Sequence, residues 1–203
     1  MKLYSAPMPA PNPRRVRIFL AEKGLAVTEE FLDFAKREHK GETHRRRNSL
    51  GQVPTLELED QTTISESVAI CRYFEALQPQ PPMFGRTPFE QAEVEMWTRR
   101  VEFVLTQPVG NFWRHAHPRT SALLTQYKDF GESNREGWNR AVAWLDRELE
   151  GRSFIAGDSF TIADVCALTT VDFAAWIGLP VAPELARLSD WRAKVSARPS
   201  AKA

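Results

Sequence analysis

The chain has 203 residues, of which 42% are apolar and 26% charged, enough for one large or two modest globular domains. Because its 27 basic and 26 acidic residues nearly balance, no overall field favours nucleic acid or a membrane surface as a partner. No apolar run approaches the length of a membrane-spanning helix. Cys71 and Cys166 form no C-x-x-C pair, so we expect buried free thiols in a cytoplasmic protein.

The first 78 residues alternate between short strand patterns and helical patterns. Strands are predicted at 2–4, 27–32, 55–59 and 63–64, helices at 13–23 and 65–76, and an irregular, partly helical segment at 35–47. In the first helix, Asn12 is predicted as the N-cap, Pro13 as the first helical residue and Gly24 as the stop. The resulting order, β-α-β-α-β-β-α, resembles the thioredoxin-like fold.

The clearest boundary in the chain is the segment 78–82, Gln-Pro-Gln-Pro-Pro. Three prolines in five residues cannot extend a helix and form a semi-rigid linker. Beyond it, helical spacing dominates at 89–113, 120–149, 162–176 and 189–197, and Thr161 with Asp164 fits a capping box. We therefore predict a thioredoxin-like α/β domain at 1–78, a linker at 79–88 and an all-α helical bundle domain at 89–203.

Two short motifs carry the chemistry: Gly-Gln-Val-Pro-Thr-Leu at 51–56 and Glu-Ser-Val-Ala-Ile at 66–70. A cis Val53–Pro54 bond would hold the main-chain groups of Val53 out of the sheet, where an extended peptide could pair with them. A helix that begins near Glu66 offers free N–H groups to a carboxylate, while the Glu66 side chain can take an ammonium. Glutathione is a small peptide that carries all three of these groups, an ammonium, a carboxylate and an extended amide, so the two motifs predict a glutathione site. The plainer alternative is a strand start followed by a helix start.

The sequence resembles the cytosolic glutathione transferases over nearly its whole length. The two motifs match their amino-terminal domain, and the segment 154–164 resembles the family's helix-capping segment, a structural device. The resemblance implies glutathione as co-substrate, no metal, and a small hydrophobic electrophile as partner. It also implies a homodimer, with the first domain of one subunit against the helical domain of the other. Phe89 and Trp97 are the candidates for apolar contact surface.

The resemblance assigns six residues to glutathione: Lys40, Gln52, Val53, Pro54, Glu66 and Ser67. Val53 pairs its backbone with the cysteinyl part, next to a cis Pro54, and Glu66 and Ser67 hold the γ-glutamyl end. Lys40 and Gln52 match positions that contact the glycyl end in plant phi-type members. For Lys40 the alternative is an ordinary solvated lysine.

The usual catalytic side chain of the family is missing. Those enzymes place a tyrosine, serine or cysteine near the start of the first helix, but the loop 8–13, Met-Pro-Ala-Pro-Asn-Pro, has no hydroxyl or thiol. Ala10 stands where phi-type members have serine. In this respect the chain resembles an atypical branch known from fungi, whose Pro-x-Pro-x-Arg-Val-Arg-Ile segment is matched at 11–18.

Three ways of activating the thiol therefore compete. The start of the first helix stabilises a nearby thiolate through its amides and dipole. Asn12 could add an amide N–H. The third way, by resemblance to the atypical branch, is a water held by polar groups of the helical domain, with Asn111 and His115 as candidates. We favour the helix terminus, assisted by Asn12 or by such a water.

The electrophile pocket is expected between the domains, with Met8, Phe112 and Trp113 as its apolar wall; plain core packing is the alternative. The basic run His-Arg-Arg-Arg at 44–47 is interpreted as a solvated face rather than a phosphate site. The leading prediction is an enzyme that conjugates glutathione to an electrophile, or that uses glutathione to reduce a peroxide or a disulfide. Two noncatalytic functions are the alternatives. One is a noncatalytic scaffold of the same fold, and the other is a carrier of hydrophobic ligands.

Overall fold

The structure is a computed structural model that describes every residue from Met1 to Ala203. It forms two compact units: Met1–Met83 with Pro199–Ala203, and Phe84–Arg198. The division falls inside the predicted linker. The last five residues, which we predicted in the helical domain, instead pack with the first unit. Their anchor is Arg14, whose guanidinium donates to the carbonyl of Ala201 at 2.8 Å.

The first unit contains a four-stranded mixed sheet and three helices. Its elements are β1 (Lys2–Ser5), α1 (Pro11–Lys23), β2 (Thr28–Phe31), α2 (Glu42–Arg47), β3 (Thr55–Glu57), β4 (Thr63–Ser65) and α3 (Ser67–Leu77). The strand order is β2-β1-β3-β4, with β1 parallel to β2 and the other pairs antiparallel. The predicted thioredoxin-like fold is confirmed.

The start of α1 differs from the prediction. The helix begins at Pro11, Ala10 is its N-cap, and no side chain caps it, so the assignment of Asn12 as N-cap was wrong. Proline suits the first turn, because its fixed φ is helical and its missing N–H has no intrahelical partner to lose there. The predicted stop is confirmed: Gly24 has φ of 64° and ends the helix in the left-handed region.

The second unit is entirely helical, as predicted. Its elements are α4 (Pro88–Arg100), a π-helical segment (Val101–Thr106), α5 (Gln107–His115), α6 (Lys128–Glu148), α7 (Ile162–Trp176) and α8 (Ala186–Ser196). We predicted one regular helix over 89–113 and a start near 120 for the next. The next helix starts later because Thr120 ends a separate 3₁₀ helix, Pro118–Thr120. The side chain of Thr120 is buried there, and its hydroxyl donates to the carbonyl of Trp113 at 2.7 Å.

Helix α7 forms the core of this unit, and the capping box of Thr161 and Asp164 at its start is confirmed. The Asp164 carboxylate is fully buried and also accepts from the backbone N–H of Ile155 and the indole N–H of Trp191, each at 2.9 Å. Both cysteines are buried, and they form no disulfide. None of the helices combines the length and apolarity that crossing a membrane requires.

Candidate functional site

Three chain segments leave the sheet at the same edge. Thr55, at the start of β3, pairs with Tyr4 near the end of β1 and with Ser65 at the end of β4. The loop 6–10, the segment 52–54 and the start of α3 therefore meet at this edge, within the first unit.

Val53 presents its main chain at this edge. The Val53–Pro54 peptide bond is cis, as predicted. Val53 is half-buried, and neither its N–H nor its C=O forms a hydrogen bond within the chain. A buried polar group left unpaired is costly, whereas an extended peptide laid along this edge would pair with both.

Glu66 and Ser67 place a negative charge beside the partly positive start of a helix. The carboxylate of Glu66 is exposed and has no ion pair or hydrogen bond within the chain, and its backbone has φ of 69°. Ser67 opens α3, where the N–H groups of Ser67 and Val68 have no partner. Arg15 lies behind, with its Nη1 at 3.5 Å from the Ser67 hydroxyl. A ligand end that bears both an ammonium and a carboxylate fits this pair of groups.

Lys40 lies beside the segment that carries Gln52. Its ammonium donates to the carbonyl of Leu50 at 3.0 Å, so this half-buried side chain is anchored rather than simply solvated. The approach is close because Gly51 has φ of 58°, and a Cβ there would lie 2.7 Å from the carbonyl oxygen of His39. The Gln52 side chain is exposed above this turn.

The main-chain carbonyl of Gln52 accepts hydrogen bonds from three side chains. The donors are His44 Nε2 at 2.8 Å, Asn48 Nδ2 at 3.0 Å and Thr55 Oγ1 at 3.1 Å. All three side chains are buried. Sequence reasoning missed His44, which lies on the six-residue helix α2, and Asn48, which directly follows that helix in an extended conformation. A helix this short gives no pattern that would have identified them.

The basic run at 44–47 is only partly a solvated face, so that interpretation was wrong for two of its four residues. His44 is buried with its ring edge-on to Tyr4. Arg47 pairs with Glu57 at 2.7 Å and lies over the Tyr4 ring at 4.3 Å. Arg45 and Arg46 alone are exposed.

At the start of α1, few donors remain for a thiolate. Pro11 and Pro13 have no N–H, and the N–H of Ala10 donates to the carbonyl of Pro7 at 3.2 Å. Asn12 keeps an unpaired backbone N–H and an exposed amide side chain without a hydrogen bond. The helix terminus therefore offers the donors of one residue, Asn12.

The hydroxyls of Tyr4 and Ser5 are poorly placed for this task. Ser5 is fully buried, and its Oγ accepts from Arg17 Nη1 at 3.3 Å. Tyr4 is buried under Arg47, and burial raises the pKa of its phenol.

The chain matches two family models, the N-terminal domain of glutathione S-transferases over residues 10–77 and their C-terminal domain over 112–199. It is 36% identical to glutathione S-transferase 2 of Saccharomyces cerevisiae over 206 residues, which cover 100% of this chain and 88% of that one. The chain belongs to the glutathione S-transferase family.

Solved structures of glutathione S-transferases match it along the whole fold. The crystal structure of Gtt2 from Saccharomyces cerevisiae superposes with a TM-score of 0.93 at 36% identity, covering 100% of this chain and 99% of that one. A glutathione S-transferase domain-containing protein from Marinobacter aquaeolei gives 0.92 at 36% identity, covering 98% and 99%. Among relatives found by sequence, human glutathione S-transferase theta-2 is 28% identical over 187 residues, which cover 91% of this chain and 76% of that one.

In this glutathione S-transferase fold, the helical-domain candidates for thiol activation face α6. The amide of Asn111 donates to Asn134 at 3.2 Å. His115 Nδ1 lies 3.5 Å from the backbone N–H of Tyr127, and its ring meets Phe130 edge-on at 5.4 Å. Helix packing thus accounts for the contacts of both side chains.

The three residues predicted to line the electrophile pocket have different surroundings. Met8 is exposed on its loop, and Phe112 is buried beneath the guanidinium of Arg135. Trp113 is half-buried and meets Phe173 and Trp176 at 5.4 and 5.6 Å between ring centroids. Core packing is thus the better account of Phe112, whereas Trp113 belongs to a partly open aromatic cluster.

Proposed function

We propose that this protein is a glutathione transferase that binds glutathione along residues 52–54 and 66–67. One observation carries the proposal: the unpaired main chain of Val53 lies at the same sheet edge as an unpaired Glu66 carboxylate and the free N–H groups of α3. Val53 takes the cysteinyl amide. Glu66 takes the γ-glutamyl ammonium, and Ser67 takes its carboxylate. Lys40 and Gln52 hold the glycyl end.

The bound thiol reacts as a thiolate. Its proton leaves to solvent, and the sulfur forms a bond to the electrophilic carbon of a small hydrophobic molecule, whose leaving group departs with the bonding electrons. The same thiolate can attack a peroxide oxygen or a disulfide sulfur, with a second glutathione completing the reduction. We place this activity in cytoplasmic detoxification, in keeping with two buried cysteines, Cys71 and Cys166, that form no disulfide.

Asn12 is the group we assign to thiol activation, because it supplies the unpaired donors at the start of α1. Asn12→Ala removes the side-chain donor and should lower turnover and raise the pKa of the bound thiol, by at most about two units for one hydrogen bond to a charge. Ultraviolet absorbance of the bound thiolate, followed against pH, measures this pKa. Asn12→Pro removes the backbone N–H together with the side-chain donor, so it should have the larger effect. The helix should still form, because proline is tolerated in a first turn.

Three controls accompany these variants. Stability should be nearly unchanged in Asn12→Ala, because Asn12 does not cap the helix. Ser5→Ala and Tyr4→Phe should keep most turnover, because these buried hydroxyls do not serve the thiol. A Ser5→Ala protein that folds and binds glutathione but has lost turnover would overturn the assignment.

His115 is the alternative activator, through a water held with Asn111. His115→Phe keeps an aromatic ring against Tyr127 and Phe130 while removing the ring nitrogens. If Asn12 is the activator, this variant keeps its thiolate absorbance; loss of that absorbance assigns the role to His115.

We also propose a homodimer that uses an apolar stripe on α4 and the π-helical segment. Phe89, Met96 and Phe103 are spaced by seven residues, fall on one helical face, and are 75%, 41% and 65% exposed. Trp97 is removed from this surface, because it is 1% exposed and stacks on Trp144.

Sedimentation at micromolar concentration should therefore show a dimer. Phe103→Glu should shift it toward monomer by burying a charge in the interface. Leu123→Glu, at an equally exposed apolar residue off the stripe, should not. A monomeric unmodified protein would contradict this proposal.

A noncatalytic role has one observation in its favour, the lack of any hydroxyl or thiol over residues 8–13. Calorimetry with glutathione separates the alternatives. Binding with thiolate absorbance supports the transferase, binding without it indicates a carrier of hydrophobic ligands, and no binding indicates a scaffold.

A further inference from the structure

The peptide group between Gln52 and Val53 is trans, so its C=O and N–H point in opposite directions. Whatever fixes the Gln52 carbonyl therefore fixes the direction of the Val53 N–H. That carbonyl is turned into the protein, toward His44, Asn48 and Thr55. The Val53 N–H, which has no partner in the chain, is consequently turned outward at the candidate site.

These three donors are themselves held in place. Asn48 accepts from the backbone N–H of Leu50 at 3.1 Å and donates to Thr55 Oγ1 at 3.3 Å as well as to Gln52. The side chains of His44, Asn48 and Thr55 have 2%, 6% and 0% exposure. A carbonyl that accepts three hydrogen bonds from buried side chains has little freedom to rotate.

His44 is a costly choice for a purely structural site. The carbonyl can only accept, so Nε2 carries the proton. The other ring nitrogen, Nδ1, is then buried without any partner. An unpaired buried polar atom destabilises the fold, and a leucine or phenylalanine at this position would pack against Tyr4 without that loss of stability. A histidine is therefore expected here only where its Nε2–H is needed.

We propose that His44 and Asn48 are positioning residues for glutathione. By holding the Gln52 carbonyl inward, they aim the Val53 N–H at the cysteinyl carbonyl of the ligand. We call the hydrogen bonds from His44, Asn48 and Thr55 to this carbonyl the Gln52 carbonyl clamp. The clamp acts through Val53 and does not touch the ligand, and this inference rests on the proposed function.

The test compares glutathione affinity in matched variants of the whole chain. His44→Phe keeps the ring beside Tyr4 but removes the donor, and it should raise the dissociation constant about tenfold, the scale of one hydrogen bond lost. His44→Gln returns an N–H near the Nε2 position and should restore affinity to within about threefold of the unmodified protein. Asn48→Ala should behave like His44→Phe. Arg46→Ala, an exposed change on the same helix, should have no effect.

A second readout reports Val53 directly. In amide ¹⁵N–¹H spectra, saturating glutathione should shift the Val53 resonance of the unmodified protein, and the shift should shrink in His44→Phe and return in His44→Gln. If His44→Phe and Asn48→Ala only lower the melting temperature while affinity and the Val53 shift stay unchanged, the clamp is structural and the proposal fails. If the unmodified protein does not bind glutathione, the proposed function itself fails.

Discussion

Replacing Glu66 by alanine should weaken glutathione binding by about 10- to 100-fold, corresponding to roughly 1.5–3 kcal/mol for a charge-assisted hydrogen bond to an ammonium. The carboxylate has no partner in the protein, so nothing else is disturbed by its removal. Backbone strain does not confuse the result, since glutamate and alanine are similarly disfavoured at φ of 69°. Calorimetric titration of the folded variant measures the loss.

Two further variants sharpen this experiment. Glu66→Gln keeps the shape and an acceptor oxygen but loses the charge, so its affinity should lie between those of alanine and glutamate. Glu59→Ala removes an exposed glutamate elsewhere in the same unit and should leave binding unchanged. A folded Glu66→Ala protein with unaltered affinity would remove Glu66 from the site.

Replacing Asp164 by alanine should lower the free energy of unfolding by about 3–5 kcal/mol, since buried hydrogen-bond donors lose a charged acceptor. The carboxylate accepts from the N–H and hydroxyl of Thr161, the N–H of Ile155 and the indole of Trp191. It thereby ties the start of α7 to the preceding loop and to α8. Denaturant unfolding at equilibrium provides the measurement.

Asp158→Ala is the matched control, because Asp158 is exposed in the same loop. Its effect should stay within about 0.5 kcal/mol. An Asp164→Ala protein as stable as this control would show that the capping box contributes little to the fold.

The sequence was sufficient for the fold because its signals are local and agree with one another. Strand patterns, the Gly24 stop and the Thr161 capping box each predicted an element that the structure contains. The start of α1 was misplaced because two local rules conflict there. Asn12 is a favoured N-cap residue, but Pro11 and Pro13 both fit the first turn.

The remaining errors concern contacts between residues far apart in sequence. Trp97 is buried because Trp144 stacks on it, and no periodicity in one helix predicts that partner. His44 was hidden in a run of arginines on a helix of six residues, too short to show a polar and an apolar face. Its role depends on a hydrogen bond to the main-chain carbonyl of Gln52, and the pattern of side chains in a sequence does not predict contacts with main-chain groups.

The most direct test of the account is a calorimetric titration of the unmodified protein with glutathione, combined with thiolate absorbance against pH. S-methylglutathione, which cannot ionise at sulfur, is the matched ligand. The account predicts that both ligands bind at one site per chain. Glutathione alone should give thiolate absorbance, with a thiol pKa of about 6.5, two units below that of a free thiol. Absence of binding by either ligand, or binding with an unshifted thiol pKa, would contradict it.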